Sequence, residues 1–273
     1  MRAVGIIAEY DPFHRGHADH LRQARDRAGA DVAVAVMSGW FTQRGDAAIL
    51  PPGLRAEMAM RCGMDAVFLL PAMWSVREAE RFALAGISLL RGLGCDAVSF
   101  GAETDNLPLL RDIASLLEAE PDAFRASLRR GLDSGLPYPA AVSGAAETVL
   151  PGAAAVLDRP NNTLAVCYLR ALQRLGCGME PIPVPRPGAY HETALNPECP
   201  SAAALRLEYL DRLADRRLDR GEIDLDQYDL SRWRLMHIGA QPVPRSLIKR
   251  WKQKFPNHQY DTNYGLSESI GPG

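Results

Sequence analysis

Gly5-Ile6-Ile7-Ala8-Glu9-Tyr10-Asp11-Pro12-Phe13-His14-Arg15-Gly16-His17 is the stretch whose reading sets the fold. The apolar run from Val4 to Ala8 reads as a buried strand. It breaks at Asp11-Pro12, and Gly16 leads into a polar, periodic helix expected over about His17 to Ala28. Two histidines thus flank a glycine where a strand hands over to a helix N-terminus. Such a terminus presents unpaired backbone N–H groups and the positive end of the helix dipole, which favours phosphate. Gly16 lets an anion approach the backbone, and the imidazoles can donate to its oxygens. One loop histidine would carry little meaning; His-x-Gly-His in this setting points to a phosphate-binding turn.

The unit repeats. Gly29-Ala30-Asp31-Val32, Gly63-Met64-Asp65-Ala66-Val67 and Gly94-Cys95-Asp96-Ala97-Val98 each place a glycine after a helical stretch, then an aspartate and an apolar run. Glycine is the expected residue just past a helix C-terminus, and continuous apolar runs suit strands covered on both faces. The spacing matches a βα repeat with right-handed crossovers. Strands are expected over Val4–Ala8, Val32–Val36, Ala66–Leu70 and Ala97–Phe100, and helices near His17–Ala28, Leu54–Arg61 and Arg77–Arg91. The fold class is therefore α/β with a mainly parallel sheet. Ligands of such sheets lie beyond the carboxyl ends of the strands. The segments to inspect are Glu9–His17, Ser38–Gly45 (with Arg44 as a candidate anion partner), Pro71–Arg77 and Gly101–Glu103.

Farther along, Leu107–Gly131 has one helical pattern. Asp158–Thr163 reads as a turn opening a helix that runs to Leu175, and Pro181–Pro185 reads as an edge strand. Ser201 is placed to cap another helix. The chain has 273 residues, 47% hydrophobic and 23% charged, with a formal net charge of −2. That balance gives no global pull toward nucleic acid, so RNA binding would need a local patch or a further part. The five cysteines show no Cys-x-x-Cys spacing, which argues for reduced thiols and against a disulfide framework. No apolar run is long enough to span a bilayer and no signal peptide opens the chain, so a soluble cytoplasmic protein without membrane contact is expected. Every lysine falls in one place: Lys249, Lys252 and Lys254.

The segments GIIAEYDPFHRGH, MSGWFTQRGDAAI, LRAEMA, AERFALAG, SFGAE, RPNNTLAVCYLRAL and SAAALR, in this order, resemble the bacterial tRNA(Met) cytidine acetate ligase family of the HxGH nucleotidyltransferase superfamily. The resemblance implies a Rossmann-like HxGH fold. It implies ATP-dependent activation of acetate as acetyl-adenylate, then acetylation of the wobble cytidine of elongator tRNA(Met), with Mg²⁺ expected as cofactor. It carries His14 and His17 over as catalytic residues. It places nucleotide contacts on Ile7, Ala8, Glu9, Tyr10, Phe13, His14, Gly16, His17 and His20. Further contacts fall on Gly101, Asn161 (with Asn162 the neighbouring alternative), Arg186, Ser201 and Arg206; no metal ligands are assigned. The sequence departs from the family pattern at Asp11, Trp40, Thr42 and Ala203, and it lacks a lysine before Arg55. No protein nucleophile is required, because acetate itself attacks the α-phosphate; the site must align the two and stabilise phosphate charge.

The tail reads differently. Asp229 to Pro244, with its Gly239-Ala240-Gln241-Pro242 turn, precedes a basic amphipathic helix and Tyr264-Gly265-Leu266-Ser267-Glu268-Ser269. This looks like a fragment of an AMP-binding acyl-CoA synthetase, lacking that superfamily's phosphate loop and lid. The expected organisation is an ATP-binding body over 1–206, a junction over 207–220 and a foreign segment over 221–273. On this reading the body has lost a native C-terminal part that helps to hold tRNA, and its activity is impaired. Two other readings stay open: another HxGH adenylyltransferase acting on a small metabolite, and a non-catalytic nucleotide-binding remnant.

Overall fold

The computed structural model describes residues 1–185, 202–219, 235–239, 248–249, 252–253 and 259–263. The chain divides into two compact units, Met1–Tyr190 and His191–Gly273. The first runs β1 (Ala3–Ala8), α1 (Arg15–Ala28), β2 (Val32–Ser38), α2 (Pro52–Arg61), β3 (Ala66–Leu70), the single turn α3 (Ala72–Ser75), α4 (Ala79–Gly92) and β4 (Ala97–Ala102). It continues with α5 (Leu107–Ala119), α6 (Asp122–Asp133), α7 (Tyr138–Val149), α8 (Ala153–Leu157), α9 (Pro160–Arg174) and β5 (Glu180–Pro185). Its five strands are parallel throughout, in the order β3-β2-β1-β4-β5. The second unit holds α10 (Ala202–Asp219) and a parallel pair, β6 (Leu235–Gly239) and β7 (Gln259–Asn263). Among the described residues no helix is long and apolar enough to cross a membrane.

The repeated Gly-x-Asp has a physical basis. Gly29, at φ +56°, ends α1 by returning its N–H to the carbonyls of Arg25 and Asp26. The aspartates then cap the amino ends of neighbouring strands, whose first N–H groups have no ladder partner there. Asp31 Oδ2 accepts from Arg2 N–H at 2.7 Å, Asp65 Oδ2 from Ala33 N–H at 2.8 Å and Asp96 Oδ2 from Ala3 N–H at 2.8 Å. One motif therefore both stops each helix and caps an earlier, neighbouring strand.

The sheet is covered on both faces, as the unbroken apolar runs require. Val4, Ile6, Ala35 and Met37 pack with Leu21, Ala24 and Ala28 of α1 and Ala59 of α2. Val36, Val98 and Phe100 pack with Ile87 and Leu90 of α4, Ile113 of α5 and Val166 and Leu169 of α9. Two glycines set the distance between α4 and β1. A Cβ on Gly5 would lie 2.5 Å from Leu90 Cδ2, and one on Gly86 would lie 2.6 Å from Ile7 Cδ1. Across the outer face of this layer, Arg170 and Arg174 of α9 are each ion-paired with both Glu80 of α4 and Glu118 of α5.

The elements differ from expectation in detail. The helix predicted over Leu107–Gly131 is two, because Glu120 adopts φ +41° ahead of Pro121 and the chain turns there. The helix expected from His17 starts at Arg15, because His14 itself is the cap. Helices α7 and α8, in an alanine-rich stretch, have no counterpart in the sequence reading.

Candidate nucleotide-binding site

The order β3-β2-β1-β4-β5 places a topological switch point between β1 and β4, where successive connections depart in opposite directions. Open parallel sheets bind ligands in the crevice outside the carboxyl ends of such a strand pair. After β1 comes Glu9–His17, and at the end of β4 come Gly101, Ala102 and Glu103. The two segments singled out from sequence are thus brought together.

The histidines build the helix start. His14 Nδ1 accepts from Gly16 N–H at 3.1 Å, and His17 Nδ1 accepts from His14 N–H at 3.3 Å. This is a capping box made of two imidazoles in place of the usual Ser/Glu pair. An Nδ1 that accepts carries no proton, so in each neutral ring the proton sits on Nε2. Both rings consequently offer Nε2 as a donor. The rings lie 3.8 Å apart between centroids, inclined by 31°. Tyr10 and Phe13 support them: Tyr10 meets the His17 ring at 5.0 Å and Phe13 at 4.9 Å, both edge-on. Tyr10 is 2% exposed and held at φ +50°, a region that costs a bulky residue about 1–3 kcal/mol. Burial pushes its hydroxyl well above the usual tyrosine range, so it stays neutral.

A buried arginine fixes this loop to its neighbour. Arg55, in α2, has no exposed surface. Its guanidinium donates to the carbonyls of Leu50 (3.1 Å), Ser38 (3.1 Å), Gly39 and Glu9. One side chain thus gathers the carboxyl ends of β1 and β2. Burial lowers its pKa, while Asp11 and Glu9 nearby favour its charge. Asp11, 3% exposed, accepts from Ile49 N–H at 2.8 Å through Oδ1, and Glu9 Oε1 accepts from Gln43 N–H at 2.6 Å. Asp11 therefore has a backbone to hold, which accounts for a buried carboxylate in this loop.

On the other side of the crevice Glu103 and Asn162 lock α9 to β4. Asn162 Oδ1 accepts from the N–H groups of Glu103 (2.8 Å) and Thr104 (3.1 Å). In return Glu103 accepts from Asn162 N–H (2.8 Å), Asn161 N–H (3.2 Å) and Asn161 Nδ2 (2.7 Å). The carboxylate also sits at the positive end of α9. Asn162 is 2% exposed and spent on this lock, whereas Asn161 is half-buried beside it.

The remaining candidates separate. Ile7 turns its side chain onto Gly86 of α4, away from the crevice residues Glu9–His17 that follow β1 in the chain. His20 Nε2 lies 3.0 Å from Ser99 Oγ of β4, which ties α1 to the sheet. Gly101 is half-buried within β4. Arg206 is half-buried on α10, in the second unit. Arg186 and Ser201 lie outside the described residues. Sequence reasoning missed the roles of Arg55, Glu103 and Asn162, although all three stand inside the quoted blocks; most of their partners are backbone groups distant in the chain, which no spacing announces. Among the described residues no group of three or more His, Cys, Asp or Glu side chains could hold a metal ion.

The sequence profile of the HIGH Nucleotidyl Transferase family matches residues 1–229. The tRNA(Met) cytidine acetate ligase of Syntrophotalea carbinolica is 44% identical over 215 residues, 76% of this chain and 50% of that protein. The same-named protein of Thermoanaerobacter sp. is 36% identical over 285 aligned positions, covering 99% of this chain and 69% of its own length. Among solved structures, Thermotoga maritima TmcAL bound with alpha-thio ATP superposes with a TM-score of 0.70 at 31% identity, over 80% of this chain and 52% of that one. Its apo form gives a TM-score of 0.73 at 30% identity. The chain spans about half the length of the first curated relatives it matches.

Proposed function

The chain belongs to the HIGH nucleotidyl transferase family and, within it, to the tRNA(Met) cytidine acetate ligases, and from that premise we propose that it activates acetate with ATP and passes the acetyl group to the wobble cytidine of elongator tRNA(Met). The observation that carries this reading is the paired imidazole cap at the head of α1, at the switch point of the sheet. The ATP analogue in the Thermotoga relative supports the same choice of nucleotide.

In this reading the phosphates lie against the α1 terminus. His14 and His17 donate from Nε2, and the backbone around Gly16 supplies further N–H groups. An acetate oxygen attacks the α-phosphorus, the bond to the β-phosphate breaks, and pyrophosphate leaves with the charge that these donors stabilise. The cytidine amine then attacks the acetyl carbonyl, AMP leaves, and the amine loses a proton. Mg²⁺ would offset charge on the phosphate oxygens; no His, Cys, Asp or Glu cluster among the described residues would hold it, so the triphosphate itself would have to supply most of its ligands. Asn161, Gly101, Arg186, Ser201 and Arg206 are the proposed remaining contacts.

We keep two coarser proposals with this one. The protein works in the cytoplasm, where its tRNA substrate is. Residues 221–273 are a fragment resembling an AMP-binding acyl-CoA synthetase, following a body over 1–206 and a junction over 207–220. The Gly-Ala-Gln-Pro and Tyr-Gly-Leu-Ser-Glu-Ser motifs and the confinement of lysine to this region support it. The enzymatic proposal is tested by pyrophosphate release from ATP with the purified chain. Release that depends on acetate, with acetyl transfer to tRNA(Met), is expected; nucleotide binding without either would refute it.

A further inference from the structure

The nucleotide crevice occupies the carboxyl ends of β1 and β4. Beside it, the carboxyl ends of β2 and β3 carry a surface of another kind. Residues 40–48 form a tight hairpin: Ala48 N–H donates to Trp40 C=O at 2.8 Å, Phe41 pairs antiparallel with Ala47, and Thr42 N–H donates to Asp46 C=O at 2.8 Å. Gly45, at φ +88°, closes the tip. Gln43 ties the hairpin on both sides. Its N–H reaches the Glu9 carboxylate at the crevice, and its Nε2 donates to Arg77 C=O, in the loop between α3 and α4, at 2.7 Å. The backbone is firmly held, yet Trp40 is 62% exposed and Phe41 42%, with Trp74 of α3 at 36%. Arg44 and Arg77 are exposed in the same two loops.

Large aromatic rings on a fixed rim next to a reaction site call for a partner with flat apolar faces. Unpaired nucleobases are such faces, and arginines among the rings suit the phosphates that join them. Asp46 lies in the same hairpin as Arg44, and Glu78, next to Arg77 in the chain, is ion-paired with Arg81 at 2.9 Å, so the rim is not a general polyanion surface and stacking would supply the selectivity. Resting on the RNA-acetylating reading above, we propose that Trp40, Phe41 and Trp74, flanked by Arg44 and Arg77, form the platform on which a single-stranded loop of the RNA substrate stacks its bases, so that one base reaches the crevice.

The test uses the full chain with Trp233→Phe and Trp251→Phe, leaving Trp40 and Trp74 as its tryptophans. It is titrated with a short RNA hairpin carrying a cytidine in its loop, and with a loop-free RNA duplex. The hairpin should quench tryptophan fluorescence and the duplex should not. Trp40→Ala and Trp74→Ala should each weaken hairpin binding by about five- to a hundredfold, with Trp40→Phe retaining most of it. Acetate-dependent ATP–pyrophosphate exchange, assayed without RNA, should stay within about twofold in these variants; it tests the ligase reading separately. Hairpin binding that depends on the two tryptophans in a chain with no exchange upholds the platform and refutes the ligase reading. No hairpin binding, equal quenching by the duplex, or binding indifferent to both alanine variants overturns the platform. So does self-association that Trp40→Ala abolishes in a chain that binds no hairpin.

Discussion

At the residue scale, each of the two histidines has a structural task in its ring, and the proposed function adds a chemical one. Nδ1 closes the helix cap, and Nε2 is thereby left as the donor. His14→Ala or His17→Ala should therefore weaken ATP binding about tenfold or more, since a hydrogen bond to a charged group is worth about 1.5–3 kcal/mol. Calorimetric titration checks this, and unchanged affinity in both variants would refute the placement of the phosphates. Arg55 calls for a different measurement. Replacing it with Met leaves the carbonyls of Glu9, Ser38, Gly39 and Leu50 without their donor. A loss of at least about 3 kcal/mol is expected from several orphaned buried acceptors, read as a lower denaturant midpoint. A midpoint within error of wild type would mean that water replaces the guanidinium. Both residues were visible in the sequence. Only the histidines announced their role there, because their neighbours in the chain are also their partners in space.

At the scale of elements, the packing of α4 and α9 makes two measurable claims. Gly5 allows α4 to lie against β1, so Gly5→Ala must displace Leu90. Overpacking of this kind costs about 1–3 kcal/mol, and a thermal midpoint equal to wild type would show that Leu90 has room to turn. The ion-pair network on α4, α5 and α9 should give an acid-sensitive term. Burial pushes the Glu118 carboxyl up, but hydrogen bonds and charge from Arg174 and Arg170 outweigh it and leave the group below the usual carboxylate range. A carboxyl lowered by folding stabilises above the ordinary range, and that stabilisation is lost as pH falls through the lowered value. Glu118→Gln should thus be less stable near neutrality by roughly 1 kcal/mol, a partly solvated pair being screened. The difference should close toward strong acid in parallel urea titrations; a constant difference would assign the effect to packing.

At the scale of the whole molecule, the proposed division of labour gives the tail no part in the chemistry. The motif Tyr264–Ser269 would need a phosphate loop and lid that no other part of this sequence resembles. Tyr264→Ala and Glu268→Ala should accordingly leave ATP affinity unchanged, within about twofold. A larger loss in either variant would make the tail part of the nucleotide site and overturn the two-source reading of the chain.

The sequence by itself determined the α/β class, the four strands of the repeat, the edge strand after α9 and the strand-to-helix turn at the end of β1 where the two histidines stand. Each of these rests on near neighbours: apolar runs covered on both faces, glycine after a helix, and histidines whose bonds close within three residues. It also placed Gly101 on the same edge as the histidines, as the end of a strand, and Asn161 (or its neighbour Asn162) there by resemblance. What only the tertiary structure decided is how that edge is held. The lock between Glu103 and Asn162, the four carbonyls gathered by Arg55 and the strand-capping task of Asp31, Asp65 and Asp96 all join groups far apart in the chain. The break at Glu120 also surfaced only in three dimensions, because the helical periodicity of Leu107–Gly131 continues across a residue whose backbone has turned. Backbone hydrogen bonds made by distant side chains leave no periodic trace in a sequence, and they fix the geometry in which the two histidines can act.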